Sequence, residues 1–282
     1  MTKTRIWQSR SAAVELRPPS PIVTPGWVVQ HLEHPGLRLL DVRSPESYAE
    51  GHIPGSFHLD PVALICTVNG VDGMLLPPDA FAQHMSQLGI DQISGLVIYD
   101  DYWGLQAARV LWSLARYGHT NVAVLNGGWD RWQQEAHPQT SKASMPHPAQ
   151  FDVHPDDGHI ADYAWLVQQI KRPGLILLDT RAPGEYQQGH LPGAVCWDWI
   201  NGVPIDSWDC MRSPEELLAE LTNMGIRPDQ EIVTYCRSGV RAAHTYLLLR
   251  SLGYPRVRLY DGSWLEWAHY QNDQEAYSEY TS

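Results

Sequence analysis

One segment of this chain occurs twice. Leu39-Leu40-Asp41-Val42-Arg43-Ser44-Pro45-Glu46-Ser47-Tyr48-Ala49-Glu50-Gly51-His52-Ile53-Pro54-Gly55 returns as Leu177-Leu178-Asp179-Thr180-Arg181-Ala182-Pro183-Gly184-Glu185-Tyr186-Gln187-Gln188-Gly189-His190-Leu191-Pro192-Gly193. The register extends upstream, where Trp27, Val29 and Gln30 answer to Trp165, Val167 and Gln168. Thr24 and Asp162, both good helix N-caps, hold equivalent places. Downstream, Val97-Ile98-Tyr99 matches Val233-Thr234-Tyr235, and Gly127-x-Trp129-x-x-Trp132 matches Gly262-x-Trp264-x-x-Trp267. A repeat this long exceeds a solenoid unit and predicts two copies of one globular domain. With 282 residues and 43% hydrophobic content, the chain has enough apolar surface to give each copy a core of its own.

Each copy reads as a capped helix, a short apolar strand ending in Asp-x-Arg, and a Gly-His-x-Pro-Gly turn. An amphipathic helix follows, Asp79 to Leu88 or Pro214 to Met224, then strand, loop and helix. A last apolar strand, Val122 to Leu125 or Val257 to Tyr260, leads into a Gly/Trp-rich helix start. Strands alternating with helices predict an α/β fold in which each copy is a mainly parallel sheet flanked by helices on both faces. The expected division is a first domain over 1–140, a Pro/His/Ser-rich linker over 141–158 and a second domain over 159–282.

Ligands on such sheets sit at the carboxyl ends of strands. There the second copy places Cys236. The β-branched run Ile232-Val233-Thr234 stops at Tyr235-Cys236, passes through Arg237-Ser238-Gly239-Val240-Arg241 and becomes helical from Ala242 to Leu252. A tight loop of this kind aims backbone N–H groups inward, and the helix adds its positive end, so the site favours an anion. A cysteine placed there beside Arg237 and Arg241 is expected to be a thiolate at neutral pH. The plainer alternative is a small buried residue at a strand end; two arginines and a glycine so close by outweigh it.

The repeat carries its own control. With Tyr99 aligned to Tyr235 and Ala107 to Ala242, residues 100–106 oppose 236–241. The first copy has no cysteine there and begins with Asp100 and Asp101. A carboxylate is no nucleophile for sulfur and repels an anion, so the first copy is expected to be inactive. Its loop is a candidate cover for the catalytic one, with Tyr102 and Trp103 either walling the site or simply packing at the domain interface.

A net charge of −12 argues against general binding to nucleic acid or anionic membranes. The stretch from Met1 to Pro21 has no apolar leader core, and no apolar run reaches the roughly 18 residues of a membrane span, so a cytoplasmic protein is expected. The four cysteines, Cys66, Cys196, Cys210 and Cys236, show no CxxC spacing, and the 13 histidines show no ligand spacing. Neither a disulfide framework nor a metal is expected. Cys196 and Cys210 read as packing residues, with resolving thiols as the alternative.

The Asp-x-Arg and Gly-His-x-Pro-Gly pair, present twice, and the Cys-Arg-Ser-Gly-Val-Arg loop after Tyr235 resemble the tandem rhodanese-type sulfurtransferases, the family of thiosulfate and 3-mercaptopyruvate sulfurtransferases. The resemblance spans roughly residues 20 to 270. It implies two α/β rhodanese-like domains, the first inactive, and a persulfide mechanism without metal or organic cofactor. Cys236 would take the outer sulfur of a small anionic donor and pass it to a thiol, to cyanide or to a thioredoxin-like protein. Arg237, Ser238, Gly239, Val240, Arg241, Glu185 and Arg181 are the implied substrate-binding set.

Three positions depart from the family pattern. Thiosulfate enzymes usually carry a basic residue two places after the cysteine; here it is Ser238. Mercaptopyruvate enzymes typically read Cys-Gly-Ser-Gly-Val-Thr, and this chain has Arg237 and Arg241 where Gly and Thr stand. Glu185 occupies the usual place of a donor-binding arginine shortly after the second Asp-x-Arg. Arg241 is therefore the candidate replacement contact, with a salt bridge to Glu185 as its alternative role. Asp179, Arg181 and His190 recur as Asp41, Arg43 and His52 in the inactive copy, so they read mainly as structural residues near the site.

Two other functions compete. A cysteine phosphatase also uses a thiolate in a strand-loop-helix cradle, but tyrosine-phosphatase-like loops set five residues between Cys and Arg, and here there are four. A non-enzymatic rhodanese-like binding or regulatory module is the other, and the arginines and glycine kept around Cys236 speak against it. Cyanolysable sulfur on the protein separates a sulfurtransferase from both.

Overall fold

The computed structural model describes residues 15–271. Residues 1–14, most of the stretch read for a leader, and 272–282 at the end of the second domain lie outside the described residues. The first domain runs β1 (Ile22–Val23), α1 (Pro25–His31), β2 (Leu37–Asp41), α2 (Pro45–Glu50) and β3 (Ser56–His58). It continues with a hairpin, β4 (Ile65–Val68) and β5 (Val71–Leu75), then α3 (Pro78–Gln87), β6 (Gly95–Tyr99), α4 (Leu105–Arg116), β7 (Val122–Leu125) and α5 (Gly128–Gln134). The second domain runs β8 (Ile160–Ala161), α6 (Tyr163–Gln169), β9 (Leu175–Asp179), α7 (Pro183–Gln187) and β10 (Val195–Cys196). Then come α8 (Pro214–Asn223), β11 (Glu231–Tyr235), α9 (Val240–Ser251), β12 (Val257–Tyr260) and a helix over 263–271.

Each domain holds a five-stranded sheet with the same order, β1-β7-β6-β2-β3 in the first and β8-β12-β11-β9-β10 in the second. All pairings within these two sheets are parallel. The central strand β6 is buried at every position and β11 at all but its first, which is why both read as continuous apolar runs rather than alternating ones. The helix starts follow local chemistry. Thr24 Oγ1 accepts the Trp27 N–H at 3.2 Å, and Asp162 Oδ1 accepts the Trp165 N–H at 2.8 Å, so the two caps are equivalent. Helix α9 starts at Val240, two positions before the expected Ala242, because Gly239 takes a left-handed φ of 86° and caps it. The loop is correspondingly shorter.

The copies differ at a hairpin. The β4–β5 hairpin is antiparallel, and its counterpart in the second domain, residues 203–211, contains no strand. The segment between the domains is strapped along the first domain: Thr140 exchanges backbone bonds with His52, the Ala149 N–H donates to Ser86 O, and Phe151 is buried. The domains join through α4 against α9, with Trp112 Nε1 donating to His159 O at 2.8 Å. Among the described residues no helix is long and apolar enough to cross a membrane.

Candidate active site

Cys236 lies at the carboxyl end of β11, 1% exposed, at the mouth of α9. The Gly239 N–H donates to Cys236 Sγ at 3.2 Å. That geometry needs the left-handed Gly239, which turns its N–H back toward the sulfur. The backbone of Cys236 is fixed from the far side. Its N–H donates to Ser263 Oγ at 3.2 Å, its carbonyl accepts the Trp264 N–H at 3.0 Å, and the Arg237 carbonyl accepts the Leu265 N–H at 3.1 Å. Ser263 has a positive φ of 51° and donates its own hydroxyl to Tyr260 O at 2.8 Å, so a strained non-glycine residue anchors the cysteine.

The Asp-x-Arg pair is built identically in both copies, whereas the histidine of the turn differs in burial. Asp179 takes Arg181 in a buried bidentate pair, with Nε–Oδ1 at 2.9 Å and Nη2–Oδ2 at 2.6 Å, and Arg181 Nη2 also donates to Gly189 O at 2.6 Å. The guanidinium lies 4.6 Å from the Trp264 ring centroid. Arg43 does the same with Asp41, Gly51 and Trp129. Tyr235 Oη accepts the Leu191 N–H, as Tyr99 Oη accepts that of Ile53, so the Gly-His-x-Pro-Gly turn is clamped to the strand that carries position 236 or 100. His190 is exposed, stacked 3.8 Å from Tyr186 with Nδ1 bonded to Tyr186 O; the equivalent His52 is buried beneath Lys142.

Arg241 and Glu185 form a two-pronged ion pair, Nη1–Oε2 at 2.6 Å and Nη2–Oε1 at 2.8 Å. The Arg241 pKa is raised chiefly by Glu185, against the opposing effect of burial, with the Cys236 sulfur adding to the rise. Glu185 is held below the usual carboxylate range by Arg241 first. Of the two roles weighed for Arg241, the salt bridge is present, and it leaves the guanidinium beside the cysteine. Glu185 Oε2 also accepts the Ala182 N–H, so the pair is pinned to the start of α7. Arg237 is exposed at the rim and has no ion pair among the described residues.

The cover over the catalytic loop comes from a different element than expected. Tyr102 and Trp103 face residues 199–210: Trp103 Nε1 donates to Ser207 O, and Tyr102 lies 6.0 Å from the Trp199 ring. It is the β4–β5 hairpin that reaches the second domain. A Cβ on Gly73 would lie 3.5 Å from Ser238 Cβ, and the Leu75 N–H donates to Asp261 Oδ2 at 2.8 Å. Arg109 on α4 completes this seam, its Nη2 on Asp261 Oδ1 at 2.6 Å and on Gly73 O at 3.1 Å. The repeat does not mark Gly73 or Leu75, because the hairpin has no match in the second copy. Ser263 and Asp261 stand at or beside the unassigned position of Gly262-x-Trp264, the one sequence signal that marks them.

The first-domain loop shows what the cradle prefers. Asp100 is buried, and its carboxylate accepts four backbone N–H bonds, from Tyr102 (3.0 Å) and Gly104 (2.8 Å) on Oδ1 and from Gln106 (2.8 Å) and Ala107 (3.1 Å) on Oδ2. The extra loop residue is absorbed at Trp103, which has a φ of 52°. Cys210 is fully buried beside this loop, its thiol donating to Leu125 O at 3.5 Å and pushed up to about 12 by burial. Cys196 is half-buried near Arg181 O, and burial raises it as well.

Comparison with known proteins agrees with this geometry. The rhodanese-like domain family matches residues 24–135 and again 162–270. A thiosulfate sulfurtransferase from Azotobacter vinelandii is 33% identical over 259 residues, covering 88% of this chain and 94% of that protein. The sulfur carrier protein TtuD of Thermus thermophilus is 33% identical over 273 residues, covering 89% and 94%. In structure, SseA from Escherichia coli, described as a 3-mercaptopyruvate sulfotransferase, superposes with a TM-score of 0.79 at 27% identity over 87% of this chain and 99% of its own. Two matched domains, their shared strand order and relatives aligned over most of the chain place it together: this protein belongs to the rhodanese family, as a tandem pair of rhodanese-like domains.

Proposed function

We propose that this rhodanese-family sulfurtransferase carries sulfur as a persulfide on Cys236, with thiosulfate as the first-choice donor and 3-mercaptopyruvate as the second. The observation that carries the reading is the Gly239 N–H on Cys236 Sγ at 3.2 Å, inside a loop whose twin in the first domain gathers four N–H donors on a carboxylate. Converging N–H groups favour a monoanionic sulfur, whether thiolate or persulfide.

The step balances without a cofactor. The Cys236 thiolate attacks the outer sulfur of thiosulfate, a new S–S bond forms, and the donor's S–S bond breaks with its electron pair leaving on sulfite. The loop then holds Cys236–S–S⁻. Cyanide, a small thiol or a thioredoxin-like protein takes the terminal sulfur and returns the thiolate; with cyanide the product is thiocyanate. Arg237 at the rim and Arg241 beside the sulfur draw the donor dianion in, while Glu185 limits how much positive charge the pocket presents. Four free cysteines suit a reducing compartment, which supports a cytoplasmic location.

Thiocyanate formation from each donor with cyanide tests the reading. Turnover with thiosulfate above that with 3-mercaptopyruvate is expected. Turnover only with 3-mercaptopyruvate would reverse the order of donors, and none with either would remove the enzymatic assignment.

A further inference from the structure

Arg109 belongs to the inactive domain, yet its side chain ends at the catalytic loop of the other. Its Nη2 is spent on Asp261 and Gly73, whereas Nη1 is buried without a hydrogen-bond partner. That unpaired nitrogen lies where a Cβ on Gly239 would meet it at 2.7 Å, against the residue whose N–H holds Cys236 Sγ. A buried guanidinium N–H left unpaired is costly and needs a reason.

The repeat sharpens the point. Counting from Ala107 and Ala242, the residue equivalent to Arg109 is His244 on α9, and it reaches across the same boundary in the opposite direction. His244 Nε2 lies 3.1 Å from Trp103 O in the first-domain loop and 3.0 Å from Cys210 O in its own domain, and burial pushes its pKa down to about 4, so it is neutral at pH 7. Each loop is thus backed by one side chain from the other domain. The loop with a built-in carboxylate, already satisfied by four N–H groups, is backed by an imidazole; the loop with a sulfur is backed by a guanidinium whose Nη2 is paired with Asp261 and whose Nη1 is left over.

We propose that Arg109 is a positioning residue for the chemistry at Cys236: with its Nη2 held by Asp261, its free Nη1 offers an N–H to an anion at the Gly239 end of the cradle, whether the thiolate, the persulfide or the incoming donor. This rests on the reading of Cys236 as a sulfur carrier for anionic donors. The first domain then contributes to the reaction and is more than a scaffold.

The test is the ratio of Cys236 alkylation rates by iodoacetate and by iodoacetamide at one pH and salt, read on the Cys236 peptide by mass. The two reagents consume the same thiolate and differ in charge, so the ratio reports the local field and is unmoved by a merely structural role. Arg109→Gln is expected to lower the ratio about fivefold, and Arg109→Lys to keep it within about twofold of the parent. Arg109→Met serves as a second uncharged variant should Arg109→Gln not fold. An unchanged ratio in the uncharged variant, or an equal fall in Arg109→Lys, would overturn the proposal. Sulfur loading of the parent protein from thiosulfate is measured alongside. Its failure would remove the sulfur-carrier reading while leaving the field at Cys236 independently measured.

Discussion

Asp100 stands in the first domain where Cys236 stands in the second, and its carboxylate fills the N–H cradle that the cysteine loop offers to sulfur. The two loops follow equivalent strands, β6 and β11, and open equivalent helices through a left-handed glycine, Gly104 or Gly239. One copy fills the position with its own carboxyl group, whose pKa burial raises against the lowering effect of the four N–H bonds. The other leaves the position to the Cys236 sulfur, the proposed carrier.

Asp100→Asn should therefore destabilise the first domain. The amide would turn an NH₂ group toward two of the four N–H donors, and leaving buried donors unpaired costs about 1–3 kcal/mol each. Thermal unfolding should show a melting temperature several degrees lower; no change would mean that the carboxylate is not needed to hold the loop.

Ser263→Ala removes the acceptor of the Cys236 N–H and leaves the strained backbone at φ 51° in place. A loss of about 1–3 kcal/mol in urea unfolding is expected, with a fall in turnover as the cysteine backbone loosens. Full stability and full turnover together would show that the hydroxyl is dispensable.

Arg241→Ala should raise the donor KM about tenfold with less effect on kcat, the pattern of lost ground-state binding. Glu185→Gln should act in the other direction, lowering the KM for an anionic donor, because it removes the charge that neutralises Arg241. Steady-state kinetics on both variants checks the pair. An Arg241→Ala protein with unchanged KM would confine that residue to holding Glu185.

Acid should weaken the domain interface through His244. Its pKa is about 4 in the folded state against 6.5 as a free group, because burial penalises the charged form. Between those values the unfolded chain binds more protons, so stability rises with pH across the window and is flat on either side. The full loss on going from above 6.5 to about 4 is on the order of 3 kcal/mol. His244→Gln keeps a donor for the two carbonyls and does not titrate, so its urea midpoint should fall less between pH 7 and 4.5. His119 and His159, also pushed down by burial, leave part of the slope in place.

The repeated segment made the two α/β domains, their parallel sheets and the place of Cys236 legible in the chain, because each rests on local chemistry: caps at Thr24 and Asp162, apolar central strands, and a glycine before a helix. Arg109, Asp261 and Gly73 were not legible, since their roles exist only where one domain meets the other. Of the two roles open to Tyr102 and Trp103, the structure shows packing at the domain interface, and the sequence could not choose between them for the same reason. The α4 and α9 packing sends each loop against the partner domain's own β3–α3 or β10–α8 segment, and the repeat alone does not specify that exchange. Glu185 was visible as a departure from the family pattern, and its two bonds to Arg241 realise the salt bridge that was one of the two roles open to that arginine.

The central claim is a sulfur atom on Cys236. Intact mass of the protein after incubation with thiosulfate, and again after cyanide, tests it most directly. A gain of one sulfur is expected, which cyanide removes and which Cys236→Ser lacks while keeping the parent's unfolding curve. A gain of sulfur that persists in folded Cys236→Ser would contradict it.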